Sequence, residues 1–311
     1  MGALWSELGK KLADRWLTLL VLPGVLYLAF AATAATLGHT HGLDIGLLTC
    51  QITGHANSPT VTSTGGQVVL LAATLAGAAA VGLAAQALGT LVEQAALAAN
   101  WRTWPPPLQK LAGRWTTHRQ HRWDTAHTLY HDEHRNALAP DPAHRPDPAA
   151  RHRAARTRRR IAVERPERPT WSGDRIQAAA VRVDRDHHLD LSTVWPYLWL
   201  ILPANVRDQL TQARTDLTRA TTLAAWSLIY LPLALRWWPA ALLAAVLAAI
   251  ARHRIRAATD TYATLLEATA RLYATTLAIQ LGIDHSGPLT AELGHTLTRH
   301  LHTQPPPPFT I

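Results

Sequence analysis

The segment WDTAHTLYHDEH, residues 123–134, carries Asp124, His127, His131 and His134 at intervals of three, four and three. On a helix those intervals fall along one face, and imidazoles with a carboxylate make a workable ligand set for zinc or a similar ion. A metal-dependent membrane enzyme is therefore one reading of the chain. Against it, the 17 histidines are scattered, with HTH at 39–41 and a pair at 187 and 188, and no His-Glu-x-x-His pattern occurs. P-loop, dinucleotide-binding glycine fingerprint and Gly-x-Ser-x-Gly elbow are all missing from the sequence. No cofactor is implied.

A second candidate is the basic run at 156–160, with Arg156, Arg158, Arg159 and Arg160. It reads as a solvated basic linker, or as a patch for anionic lipid headgroups, where each cation near the surface contributes about 1 kcal/mol. Nucleic acid is the weakest partner, since stacking aromatics do not interleave with the arginines and no nucleic-acid fold is recognisable. Trp195, Trp199, Trp237 and Trp238 form a third set, whose ring chemistry suits a membrane–water interface or packing on a helix bundle.

Such residues must be held by the elements around them, and the chain's apolar residues are bunched. Four stretches are nearly uncharged, at 17–37, 68–91, 220–235 and 237–251, and a region dense in Arg, His, Asp and Pro separates the second from the third. A bilayer core of about 30 Å needs roughly 20 helical residues. The expected fold is an all-α membrane protein with four transmembrane helices arranged as two hairpins, at 16–37 with 67–91 and at 220–236 with 237–252. The first stretch also fits a secretory signal peptide, with a basic start, an apolar run and the small residues AATAAT. The last apolar stretch gives only about 22 Å of helix, so that arm either crosses with Arg252 and Arg254 snorkelling or forms a re-entrant hairpin. Pro239 suits the first turn of its helix.

Lys and Arg distribution sets the orientation. The loop at 38–66 contains neither, whereas Lys10, Lys11 and Arg15, then Arg102, Lys110 and Arg114, then Arg214 and Arg219, then Arg252, Arg254 and Arg256 flank the four stretches on one common side, with only Arg236 on the other. Cytoplasmic flanks are enriched in these residues. This places the chain in the plasma membrane with residues 1–15 and the C-terminus cytoplasmic and 38–66 outside. Most of the +9 net charge is arginine, because lysine occurs only at 10, 11 and 110. Cys50 is the sole cysteine, which excludes an internal disulfide and any cysteine-only metal site.

The cytoplasmic region is expected to be helical and partly disordered. A juxtamembrane helix is read within 92–138, where Leu108, Leu111, Trp115 and Arg122 lie along one side, against headgroups or another subunit. Residues 139–169 have almost no large apolar side chain and read as a disordered Arg/Pro-rich linker. A helical module follows at 170–219, with Asn205 as an N-cap and a helix from 206 running into the third span. Cytoplasmic helices occupy 253–303, with a long first helix ended by Gly282, and 304–311 is a tail. The long helix packs on the 206 helix as a stalk, through which the chain could also self-associate.

Residues 170–203 resemble a family of uncharacterised actinobacterial multi-pass membrane proteins. Gly173, Ala178, Ala179, Leu189, Asp190, Trp195, Pro196, Leu198, Trp199 and Pro203 match its pattern, and RWDTAH at 122–127 is also similar. Asp174 stands where that pattern has Asn, Gln177 where it has Arg, Ala180 where it has Glu, and His187 with His188 where it has Tyr-Gly. The resemblance implies the membrane layout and no reaction. Two functional classes follow from the whole reading. One is a non-enzymatic integral membrane scaffold, sensor or effector that anchors an Arg-rich cytoplasmic module to a protein partner and anionic lipid. The other is an oligomeric channel for ions or small solutes.

Overall fold

The computed structural model describes residues 21–40, 42, 44–56, 63–137 and 148–302. Over those residues the chain is helical, without strands. It folds as two compact units. The first comprises the described parts of Met1–Glu93 and Thr218–Arg254, and the second those of Gln94–Leu217 and Ile255–Ile311.

The first unit is built from α1 (Leu22–Leu37), α2 (Ile45–Ala56), most of α3 (Thr64–Leu97), the C-terminal half of α8 (Ala204–Ala234) and the N-terminal part of α9 (Pro239–Gln280). Helix α1 ends at Gly38, whose φ of 61° is a left-handed conformation open to glycine at little cost, and whose N–H returns to the Ala34 carbonyl. Small residues let the helices approach closely. A Cβ on Gly24 would overlap the Ala78 backbone, and one on Gly89 would press on Thr222. Tyr230 stands edge-on to Tyr27 and Phe30, with centroids 5.4 and 5.9 Å away, and Phe30 also stacks on Trp237. The indole N–H of Trp237 donates to the Gly42 carbonyl at 2.8 Å, and Trp238 is exposed. Around this narrow interior the outer faces carry Leu26, Leu70, Leu71, Leu83, Leu231, Leu242 and Val246, all exposed.

Among the described residues one helix, α3, is long and apolar enough to cross a membrane, and only 17% of its most apolar stretch is buried. The expected layout of four spans is therefore reduced here to an all-helical chain with one candidate membrane helix. The reasons are specific. Residues 16–20 of the first span lie outside the described residues, leaving 16 residues in α1. The uncharged parts of α8 and α9 are too short to meet that measure, and each helix continues past Arg219 or Arg252 into charged helix, as was expected of α8. Within 38–66, read as a loop, α2 forms a helix.

The second unit holds the end of α3, a 3-10 turn at Trp101–Thr103, α4 (Pro106–Ala137), α5 (Pro148–Ile161), α6 (Trp171–His187), α7 (Leu191–Ile201), the start of α8, the rest of α9, and α10 (Ala291–Leu301). Its core joins Val183, Leu189, Leu198, Leu277 and Leu297, with Trp195 packed against it. Thr170, Asp190 and Thr290 cap α6, α7 and α10 by accepting backbone N–H groups. Helix α8 starts at Ala204, where the Pro203 carbonyl accepts from Val206 and Arg207, so Asn205 sits inside the first turn instead of capping it. Gly282, at φ 71°, follows the end of α9.

The reading of 139–169 as disordered needs correction. Residues 148–161 form α5 and 162–170 run as an irregular but tightly bonded strap. Residues 139–147 and the tail at 304–311 lie outside the described residues. Low apolar content misleads here because α5 buries only Ala154 fully, and its last-turn Arg158, Arg159 and Arg160 favour the negative end of the helix dipole.

Candidate functional site

Helices α4 and α5 form a hairpin with a strongly basic surface. Helix α5 contains Arg151, Arg153, Arg156, Arg158, Arg159 and Arg160 and no carboxylate. Helix α4 buries Ala112, Thr116, Arg119, Trp123 and Ala126, which recur every three or four residues along one side.

Five carbonyls, one at the end of α5 and four in the strap after it, are met by side-chain donors. Arg119 donates to the carbonyls of Ile161 (2.8 Å) and Arg168 (2.7 Å), Gln120 to Pro166 (2.8 Å), Trp123 to Ala162 (3.1 Å) and Trp101 to Glu167 (3.2 Å). From the other side, Asp174 in the first turn of α6 accepts the N–H groups of Glu167 (2.9 Å) and Arg168 (2.7 Å) on Oδ1 and pairs through Oδ2 with Arg119 at 2.5 Å. Both partners are nearly inaccessible to solvent. Burial raises the Asp174 carboxyl above the usual carboxylate range, against the opposing pull of Arg119 and the two backbone N–H groups. Arg168 extends the clamp to the Gln177 amide oxygen and the Leu97 carbonyl, and burial lowers its guanidinium below the ordinary arginine value.

The four residues read as metal ligands do not converge. Among the described residues no group of three or more His, Cys, Asp or Glu is placed to hold a metal ion. Asp124 is engaged by the Arg165 fork at 3.0 and 3.1 Å, a hydrogen bond that lowers its carboxyl below the ordinary value. His127 stacks on Trp123 at 4.4 Å, His131 stands edge-on to His127 at 4.4 Å, and His134 stacks on Tyr130 at 5.9 Å. The face is an aromatic ladder, and it receives Arg158, whose guanidinium lies 4.5 Å from the Tyr130 centroid and 3.3 Å from Nδ1 of His127. Arginine only donates, so that Nδ1 accepts and the contact requires neutral His127. Burial, then the neighbouring His131 and Arg158, lowers the His127 pKa and favours that neutral form.

The four arginines of the basic run accordingly divide. Arg158 turns inward onto α4, while Arg156, Arg159 and Arg160 remain exposed. Trp195 and Trp199, 6.2 Å apart, are half-buried on α7. A further network was not legible in the sequence. Glu164 pairs with Arg182 and Arg185, Asp186 with Arg185 and Arg271, and Glu267 with Arg182 and Arg271. Three cations and three carboxylates thus alternate in a closed ring that ties the strap, α6 and α9. Arg175 adds a pair with Asp260 at 2.5 Å.

Sequence reasoning missed Arg119, Gln120, Arg168 and Asp174, since one arginine among many carries no distinguishing mark. Comparison with family models, with curated proteins and with solved structures returns no match for this chain.

Proposed function

We propose that the protein is a non-enzymatic integral membrane scaffold, sensor or effector that anchors a basic helical module at the cytoplasmic face of the plasma membrane. The observation that carries this reading is the inverted surface of the first unit, where large aliphatic side chains cover the outside of α1, α3, α8 and α9 while Gly, Ala and a few aromatics fill the inside. An exposed apolar surface of that kind suits an apolar solvent or another protein's apolar face, and the length and composition of α3 support the bilayer. In this reading all four helices cross or enter the bilayer, and both termini are cytoplasmic. The exposed Arg156, Arg159 and Arg160 would meet anionic lipid or an acidic protein partner, and nucleic acid fits poorly.

Purified protein reconstituted into sealed vesicles tests the reading. The scaffold is expected to resist alkaline carbonate extraction and to leave the vesicles impermeant to ions and small solutes. Flux carried by the purified chain alone would replace the scaffold with a channel, and release by carbonate would remove the membrane anchor itself.

A further inference from the structure

We infer that the N-terminal half of α4 is a second, monotopic membrane contact, which lies in the headgroup region of an anionic bilayer. The inference rests on the membrane anchoring proposed above and assigns it a lipid-recognising surface. Leu108, Leu111 and Trp115 recur at helical spacing and are 52%, 61% and 58% exposed. They are not a loose end of the chain. Gln109 donates to the Arg102 carbonyl at 2.8 Å, Gly113 packs on the Trp101 ring, and the neighbouring stripe from Ala112 to Ala126 is buried. The apolar stripe is therefore held outward by a helix already fixed on its other side.

The charges around the stripe identify what covers it. From 94 to 123 the chain has no Asp or Glu, and Arg102, Lys110, Arg114 and Arg122 are all exposed. A leucine and tryptophan stripe bordered by exposed cations matches the acyl–headgroup boundary of an anionic leaflet, where rings and aliphatic tails enter the apolar layer and ammonium or guanidinium groups stay with phosphates. Continuity agrees, because Leu108 follows the end of α3 at Leu97 by eleven residues. A second copy of the chain fits less well. The next positions along the same stripe are His118, Arg122 and Thr125, so no coiled-coil seam continues. Two such basic faces would also repel, and three side chains fall well short of the ~800 Å² per partner of a stable interface.

The test places a nitroxide label in the full chain with Cys50→Ser, at Leu111→Cys on the stripe, at Thr117→Cys off it, and at Leu75→Cys on the outer face of α3. Vesicles of phosphatidylcholine are compared with vesicles of phosphatidylcholine and phosphatidylglycerol at roughly two to one. The label at 111 is expected to become about fivefold less accessible to a water-soluble nickel chelate in the anionic vesicles, while that at 117 stays accessible. Adding Lys110→Glu with Arg114→Glu should abolish the difference. Equal water access at 111 in both vesicle types, with 75 shielded, overturns the inference and leaves the anchor standing. Water access at both 75 and 111 removes the anchor as well. Spin–spin broadening at 111 that disappears on dilution with unlabelled protein would assign the stripe to a second copy and overturn the lipid contact.

Discussion

Arg119 and Asp174 show how much one buried pair can organise. Removing a carboxylate and a guanidinium from water is costly, and the cost is met only when remaining donors and acceptors also find partners. Here Arg119 has three acceptors and Asp174 three donors, so the pair fixes the strap as well as neutralising itself. Arg119→Ala strands the buried carboxylate and frees two carbonyls. It is expected to cost about 3–5 kcal/mol, read as a lower Tm in detergent micelles and as new proteolytic cleavage within 162–168. Asp174→Asn keeps an amide oxygen for the Glu167 and Arg168 N–H groups. It should lose clearly less than Asp174→Ala, which keeps no acceptor. Equal losses would mean that the charge, and not hydrogen bonding to the strap, is what Asp174 supplies.

Whole elements depend on such contacts where apolar burial is thin. Helix α5 is held on α4 through Ala154 and through Arg158, which sits between His127 and Tyr130. The groups facing His127 are Trp123, Asp124 and His131 from α4, Arg158 from α5 and Glu164 from the strap. Folding lowers the His127 pKa, so the unfolded chain binds the proton more readily. The stabilisation is complete above the ordinary histidine value of 6.5 and fades as pH falls below it through the folded value. Protection of the α5 amides against hydrogen exchange, relative to the intrinsic rate at each pH, should fall between pH 7.5 and 5, and His127→Gln should remove that fall. In the ion-pair ring, Glu267→Ala takes one partner from Arg182 and one from Arg271. It should cost about 1–3 kcal/mol, whereas Arg185→Ala on the exposed side should cost less than 1 kcal/mol, both read by thermal unfolding. These elements also mark where sequence reading stopped. Helical periodicity made α4 and the charged part of α9 legible because apolar residues recur there at three and four. The strap and α5 carry almost no such residues, and what orders them is polar pairing between positions tens of residues apart, which leaves no local pattern.

At the scale of the molecule, composition was the stronger guide. Apart from Leu235, Trp237 and Trp238, the uncharged stretches at 68–91, 220–235 and 237–251 fall within α3, α8 and α9, and Pro239 opens α9 as its ring geometry favours. The unbroken run from 206 into the third stretch was expected and α8 has it, but the sequence did not reveal that α9 likewise continues from its apolar stretch into charged helix, because helix propensity does not change where polarity does. Orientation rests on Lys and Arg counts alone and is open to a direct test. Cys50, the single thiol, is exposed on α2, within the Lys- and Arg-free segment that precedes α3. A membrane-impermeant maleimide should label it in intact cells, with Cys50→Ser as the blank. Such labelling places α2 outside, and, with α3 crossing once as proposed, would carry the basic hairpin to the cytoplasmic leaflet, where anionic lipid is concentrated. Labelling only after the membrane is opened would invert the arrangement. The arginines would then face the envelope, against the positive-inside rule that orients most helical membrane proteins, and the partner of the hairpin would have to be an extracellular polyanion.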